Sequence, residues 1–179
     1  MKIKNFKLIR ANHDEWMRDY LHTGATPDIW TSQGGKATLK SYSLREKEDV
    51  ARHKAFFDNS FYYHILDNKL FVHGGFDWHK PIEEQFGYDL TWDRHLMTTA
   101  LYWEKRNTGD KVDAYDEVFI GHTTTSRIDP TLKPVHASNV WCLDQGGGFE
   151  GKLTLMNIDS KEYFQSDIVK DLYPDDVGR

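Results

Sequence analysis

Short apolar runs of strand length alternate with longer amphipathic stretches along this chain. Runs at residues 5–10, 61–66, 69–72, 117–120 and 140–143 are each bounded by polar or glycine-containing turns and predict strands. The pair Asp67-Asn68 separates two of these runs and predicts a hairpin over residues 61–72. Alternating positions at 152–158 and 162–165 predict a second hairpin across Asp159-Ser160.

Helical periodicity is clearest in the middle of the chain. Apolar residues recur at spacings of four, four and three from Trp92 to Trp103, which predicts an amphipathic helix over residues 89–106. Further helices are expected at 14–21 and, after a capping box at 43–46, up to about residue 58; residues 29–39 are expected to form a loop. Residues 81–85 are expected to form a short helix at most. Strands and helices mix without strict alternation, so we expect an α/β or α+β fold of packed layers.

Length and composition favour one globular domain. The chain has 179 residues, and we assign 1–169 to the domain and 170–179 to a polar tail. A hydrophobic fraction of 39% and an aromatic fraction of 14% supply enough material for a packed core. The net charge of −5 argues against general nucleic-acid binding, although it leaves room for a local basic pocket.

Cysteine content and hydropathy indicate a compartment. One cysteine, Cys142, excludes an intrachain disulfide, fits a reducing environment and is predicted to be a core residue. No apolar run approaches the roughly 18 residues of a membrane span, and the first ten residues do not resemble a signal peptide. We therefore expect a cytoplasmic protein without a membrane partner.

The candidate chemistry lies where three predicted strands end. Their tips are Asn12-His13-Asp14, His73-Gly74-Gly75 and Gly121-His122-Thr123. Strand ends in layered α/β folds are common ligand sites, and imidazoles with an amide oxygen suit manganese, iron or zinc. One histidine after a strand is more often a turn or packed residue, but three in this context favour a joint site. The other six histidines lack that context: His22, His53, His64, His79, His95 and His136.

Aromatic residues offer a second, weaker signal. The tryptophans at 30, 78, 92, 103 and 141 could line a groove for a nucleobase or a peptide. Core packing is the favoured interpretation, because Trp92 and Trp103 share one face of the predicted helix.

The strand-end motifs resemble those of the calcineurin-like metallophosphoesterases. The segments that carry the resemblance are Arg10–Glu15 (RANHDE), Val72–Gly75 (VHGG) and Gly121–Thr123 (GHT). The segment Thr91–Arg94 resembles the Trp-x-Arg segment of bacterial and phage serine/threonine protein phosphatases. Segments with Trp30, Gln33–Gly35, Thr38-Leu39, Asp144–Gly148 and Lys152–Thr154 are also similar, in part to symmetrical diadenosine tetraphosphate hydrolases. Together the motifs follow the family's order over nearly the whole chain.

The resemblance implies a fold and a reaction. The expected fold is a calcineurin-like β-sandwich of mixed sheets flanked by helices, and the expected reaction is hydrolysis of phosphate monoesters at two divalent ions. Asn12, His73 and His122 would ligate one of these ions, which would be manganese, iron or zinc. His13 would be the acid, Asp14 would hold the His13 tautomer, and Arg94 would bind phosphate oxygens. The implied substrate is a phosphoprotein or a phosphorylated small molecule.

Departures from the family pattern leave alternatives open. The family's Asp-x-His and Gly-Asp-x-x-Asp-Arg-Gly motifs precede its Asn-His motif, but only eleven residues precede Asn12. We therefore expect an N-terminally truncated chain with an incomplete ligand set, weak metal binding and slow turnover, unless a partner chain supplies ligands. Ala11 and Gln145 stand where the family has Gly and Thr. A degenerate homologue with little catalysis, a diadenosine tetraphosphate hydrolase and, less favoured, a plain interaction domain are the alternatives.

Overall fold

The computed structural model describes residues 5–42, 47–172 and 174, which form a mixed α+β fold. Its α-helices are α1 Asn12–Thr23, α2 Asp28–Trp30, α3 Lys36–Tyr42, α4 Lys47–Asp58, α5 Gly87–Trp92, α6 His95–Arg106 and α7 Val169–Leu172. Its strands are β1 Tyr63–Leu66, β2 Lys69–Val72, β3 Glu117–Ile120, β4 Val135–Ala137, β5 Val140–Cys142, β6 Thr154–Met156 and β7 Tyr163–Gln165. A π-helix covers Thr31–Gly35, and 3-10 turns cover Ile82–Glu84 and Thr125–Arg127.

Five strands form one mixed sheet in the order β1-β2-β3-β5-β4. The central strands β2, β3 and β5 are parallel, whereas β1 and β4 pair antiparallel at the two edges. Both residues of the β1–β2 turn, Asp67 and Asn68, have positive φ, as the predicted tight hairpin requires. Because β2, β3 and β5 run the same way, the residues that follow them emerge at one edge of the sheet.

One face of this sheet builds the core. Alternate residues Leu70, Val72, Val118, Ile120, Val140 and Cys142 are buried and belong to a hydrophobic cluster with Leu96, Met97 and Ala100 of α6. Burial raises the pKa of the Cys142 thiol to about 11, so this thiol is neutral at physiological pH and is a core group, as predicted.

The second predicted hairpin is confirmed as the antiparallel pair β6–β7. It meets the large sheet through Lys161, whose Nζ donates to Glu117 Oε2 at 2.7 Å. A strand that the sequence did not predict, β4, pairs with β5 across Ser138-Asn139. It escaped prediction because it has three residues and its middle residue, His136, is exposed.

Two expectations of secondary structure are corrected. The predicted strand over residues 5–10 is reduced to one bridge between Ile9 and Phe61. The predicted loop over 29–39 is largely helical, but it is kinked at Gln33 and Gly34, whose backbone angles are not those of a helix.

The predicted helix over 89–106 is two helices. Asp93 takes an extended conformation (φ −60°, ψ 139°), and its Oδ1 accepts from the backbone N–H groups of His95 and Leu96 at 3.0 and 3.2 Å. The carboxylate therefore caps α6 and ends α5, an effect that apolar spacing alone does not reveal. The predicted capping box at residues 43–46 lies outside the described residues. Within the described ranges, no helix has both the length and the apolar character needed to cross a membrane.

Candidate functional site

A cleft of about 380 Å³ lies at the sheet edge where the parallel strands end. Five of the six residues singled out from the sequence line it: Asn12, His13, His73, Arg94 and His122. Asp14 does not line the cleft, and neither does any of the other six histidines in the described part of the chain. The chain therefore brings together side chains that are separated by 60 and 49 residues in sequence, from His13 to His73 and from His73 to His122.

The start of α1 positions Asn12 and His13, and a buried arginine holds it. Arg10 is 7% exposed; its Nε donates to Ser60 Oγ at 2.7 Å and its Nη1 pairs with Glu15 Oε1 at 3.2 Å. Its guanidinium also lies 4.7 Å from the ring centroid of Tyr62. Arg10 thus joins the first turn of α1 to the segment before β1. Ala11, where the family has Gly, is extended at φ −96°, so the helix start is unstrained.

Asp14 is engaged at the same helix start. Its Oδ2 accepts from the Ala11 backbone N–H at 2.8 Å, which satisfies a donor just ahead of α1. Burial raises the pKa of the Asp14 carboxyl, against the opposing effects of the Ala11 bond and the Arg10 charge. Its contribution to holding the His13 tautomer stays a prediction.

Two histidines meet at the centre of the cleft. The rings of His73 and His122 lie 5.1 Å apart at 63°, and His73 Nε2 lies 3.2 Å from Asn12 Oδ1. Burial, and next the charges of His122, His13 and Arg94, lower the pKa of His73 to about 3. His73 is therefore neutral at physiological pH, the state in which an imidazole accepts a metal ion or a hydrogen bond. His122 has φ +61°, an uncommon conformation for a residue other than glycine.

The break between α5 and α6 positions Arg94. Its Nη1 donates to the His122 carbonyl at 2.8 Å and to Thr123 Oγ1 at 3.2 Å. The break is held against the His73 loop, because the Gly75 N–H donates to the Asp93 carbonyl at 3.0 Å. A Cβ at Gly75 would lie 2.1 Å from Asp93 Oδ1, so this close approach needs glycine.

Gly121, in contrast to Gly75, has room for a side chain. A Cβ there would lie 3.6 Å or more from its neighbours, an ordinary contact distance. No close contact therefore requires glycine at position 121.

The sequence analysis did not name Asp144 or the residues of one cleft wall as site residues. Asp144 follows β5 as His73 follows β2, and it lines the cleft. Its Oδ1 accepts from the Gly146 N–H at 2.9 Å, which fixes the carboxylate in the loop. The strand-end argument that selected the histidines applies equally to Asp144. One wall of the cleft is formed by Gln33, Gly34 and Thr38, which belong to the π-helix and α3. Apolar periodicity in the sequence does not predict this wall.

Three of the five tryptophans, Trp30, Trp78 and Trp103, pack in or beside the core, as predicted. Trp30 is 1% exposed, Trp78 and Trp103 contact each other at 5.4 Å beside the core, and Trp141 stacks on the sheet. Trp92 instead meets the cleft, because its ring lies 5.4 Å from that of His122.

The donor set bears directly on metal binding. Asn12, His73 and His122 supply two imidazoles and an amide oxygen, which fit one borderline divalent ion. Among the described residues, no group of three or more His, Cys, Asp or Glu side chains is arranged to hold a metal. The described residues therefore offer donors for at most one ion and do not fit a binuclear centre.

Neither a scan against protein-family models nor a search of the curated proteins finds a match to this chain.

Proposed function

We propose that this protein is a phosphoesterase of the calcineurin-like class that binds phosphate monoesters in the cleft and hydrolyses them with a divalent ion. One observation carries the proposal: three motifs that are distant in sequence meet in a single cleft as Asn12-His13, His73 and His122, with Arg94 beside them. A phosphate dianion is the ligand that such a set of cationic and imidazole donors favours. The resemblance of the motifs, in their order, points to the same chemistry.

Each residue has a role in this proposal. Arg94 is permanently positive. Its hydrogen bond to the His122 carbonyl holds the planar guanidinium in place, and the remaining donors of that group bind the phosphate oxygens in this proposal. His13 protonates the leaving oxygen of the ester. Asn12, His73 and His122 would hold the ion, which would supply Lewis-acid stabilisation of the phosphoryl oxygens. A partner chain that adds carboxylates would complete the donor set of a second ion.

Hydrolysis of p-nitrophenyl phosphate with added manganese tests the reaction. We expect measurable turnover that His13→Ala lowers at least about 100-fold, because a general acid contributes roughly 10²–10⁴-fold. His22→Ala is the matched control, since His22 lies on the same helix but outside the cleft and pairs with Asp58. Equal loss in both variants, or none in His13→Ala, would contradict the assignment.

Binding measurements separate catalysis from recognition. Calorimetry with inorganic phosphate should show weaker binding for Arg94→Gln than for Arg106→Gln, which removes the same charge at the far end of α6. Manganese binding should fall in His73→Ala and not in His136→Ala. Retained binding of both ligands without turnover would favour the degenerate-homologue alternative.

A further inference from the structure

A strip of aromatic rings leads away from the cleft. We define the aromatic strip as Trp16, Trp92 and Tyr88. The rings of Trp16 and Trp92 meet edge-on at 5.4 Å, and Tyr88 stacks on Trp92 at 5.9 Å with 22° between the planes. The strip touches the cleft twice, through Trp16 against His13 at 4.9 Å and Trp92 against His122 at 5.4 Å.

The outer end of the strip faces solvent. Tyr88 is 70% exposed, and the neighbouring Phe86 is 78% exposed. A core role does not account for Tyr88, in contrast with Trp30, which is almost completely buried. Single exposed aromatic residues are ordinary, but this one stacks on a ring that itself contacts a cleft histidine.

We propose that the aromatic strip is a stacking platform for the base of a nucleoside phosphate whose phosphate occupies the cleft. This inference rests on the proposed function and specifies its substrate class. Exposed rings beside a cationic group are the combination with which proteins bind nucleotides, since every base presents a π-face. Arg94 provides that cation at the cleft, two residues along the chain from Trp92.

The exposed end of the strip favours a ligand that carries a ring. From His122 the strip extends by ring-to-ring steps of 5.4 and 5.9 Å to the exposed ring of Tyr88. A ribose separates the phosphate and base of a nucleotide, so the base can meet a ring outside the cleft while the phosphate lies within it. A phosphoserine side chain has no ring to place there and gains nothing from Tyr88.

Calorimetry with three probes tests the platform: adenosine 5′-monophosphate, ribose 5-phosphate and O-phosphoserine. We expect the wild type to bind adenosine 5′-monophosphate about tenfold more tightly than either probe that lacks a base, the effect typical of one base–aromatic stack. Tyr88→Ala should abolish this preference and leave the binding of ribose 5-phosphate unchanged. Tyr102→Ala is the matched control, because Tyr102 is 56% exposed on α6 and lies outside the strip and the cleft.

The outcomes separate this inference from the proposed function. Equal affinity for all three probes, or equal losses in Tyr88→Ala and Tyr102→Ala, would overturn the platform while leaving phosphate binding intact. Tyr88-dependent binding of adenosine 5′-monophosphate without manganese-dependent hydrolysis would support the platform and count against the phosphoesterase. Failure of every probe to bind would overturn both.

Discussion

Two regions of the molecule combine histidines with aromatic rings, and they are built differently. In the cleft, the groups come from chain-distant loops and surround an open volume of about 380 Å³. On one face of the five-stranded sheet, a flat row is formed by residues in direct register: His64, Phe71, Phe119, Trp141 and His136. We call this set the aromatic row.

The aromatic row is a packed and satisfied structure. Phe71 and Phe119 stack at 4.9 Å and 9°, and Lys161 Nζ lies 5.4 Å from the Phe119 centroid. Trp141 Nε1 donates to Glu117 Oε1 at 3.0 Å, and the other Glu117 oxygen accepts from Lys161. Cross-strand pairs of this kind stabilise a sheet. Histidines near aromatic rings therefore do not mark a site by themselves; a concave position at strand ends distinguishes the cleft.

The largest expected effect is a clash between the loop that follows β2 and the Asp93 carboxylate. Gly75→Ala places a methyl group against the Asp93 carboxylate that caps α6, so we expect a loss of about 3 kcal/mol in unfolding free energy. Urea denaturation measures it. Gly121→Ala, with room for its methyl group, should change stability by less than about 0.5 kcal/mol. Similar losses in the two variants would show that the Asp93 contact is not what requires glycine.

The second prediction compares a histidine from each region by pH. Burial is the first cause that lowers the pKa of both His73, to about 3, and His136. The unfolded chain then binds more protons than the native state below pH 6.5, so stability is lost as the pH falls. His73 alone accounts for about 2 kcal/mol of unfolding free energy between pH 7.5 and pH 5.

Denaturant midpoints across that range measure the effect. The slope against pH should flatten strongly in His73→Gln and only slightly in His136→Gln. A His73 signal that titrates near 6.5 in NMR spectra would contradict the burial argument.

The smallest expected effect belongs to the aromatic row. Lys161→Met removes the Glu117 ion pair and the contacts over Phe119 and Trp141, for an expected loss of about 1 kcal/mol. Thermal unfolding measures the change, and phosphate affinity should stay as in the wild type. A drop in phosphate affinity would link the row to the cleft and remove the distinction between the two regions.

The two hairpins show which structural features a local sequence pattern can predict. The turn at Asp67-Asn68 and the alternation at 152–165 were sufficient because neighbouring residues pair, and both hairpins are present. The break at Asp93-Arg94 was not predictable from the same kind of pattern. Trp92 and Leu96 keep their apolar spacing across it, while a carboxylate and the close approach of Gly75 decide where one helix stops.

By itself, the sequence determined six of the seven strands and that histidines follow β2 and β3, because strand periodicity and turn chemistry act within a few residues. Only the tertiary structure decided that β2, β3 and β5 lie parallel and side by side, which places His73, His122 and Asp144 at one edge. It also decided that Trp92 contacts a cleft histidine whereas Trp141 belongs to a packed row. The physical reason is that strand order, burial and ring contacts depend on residues dozens of positions apart, whose packing no local pattern encodes.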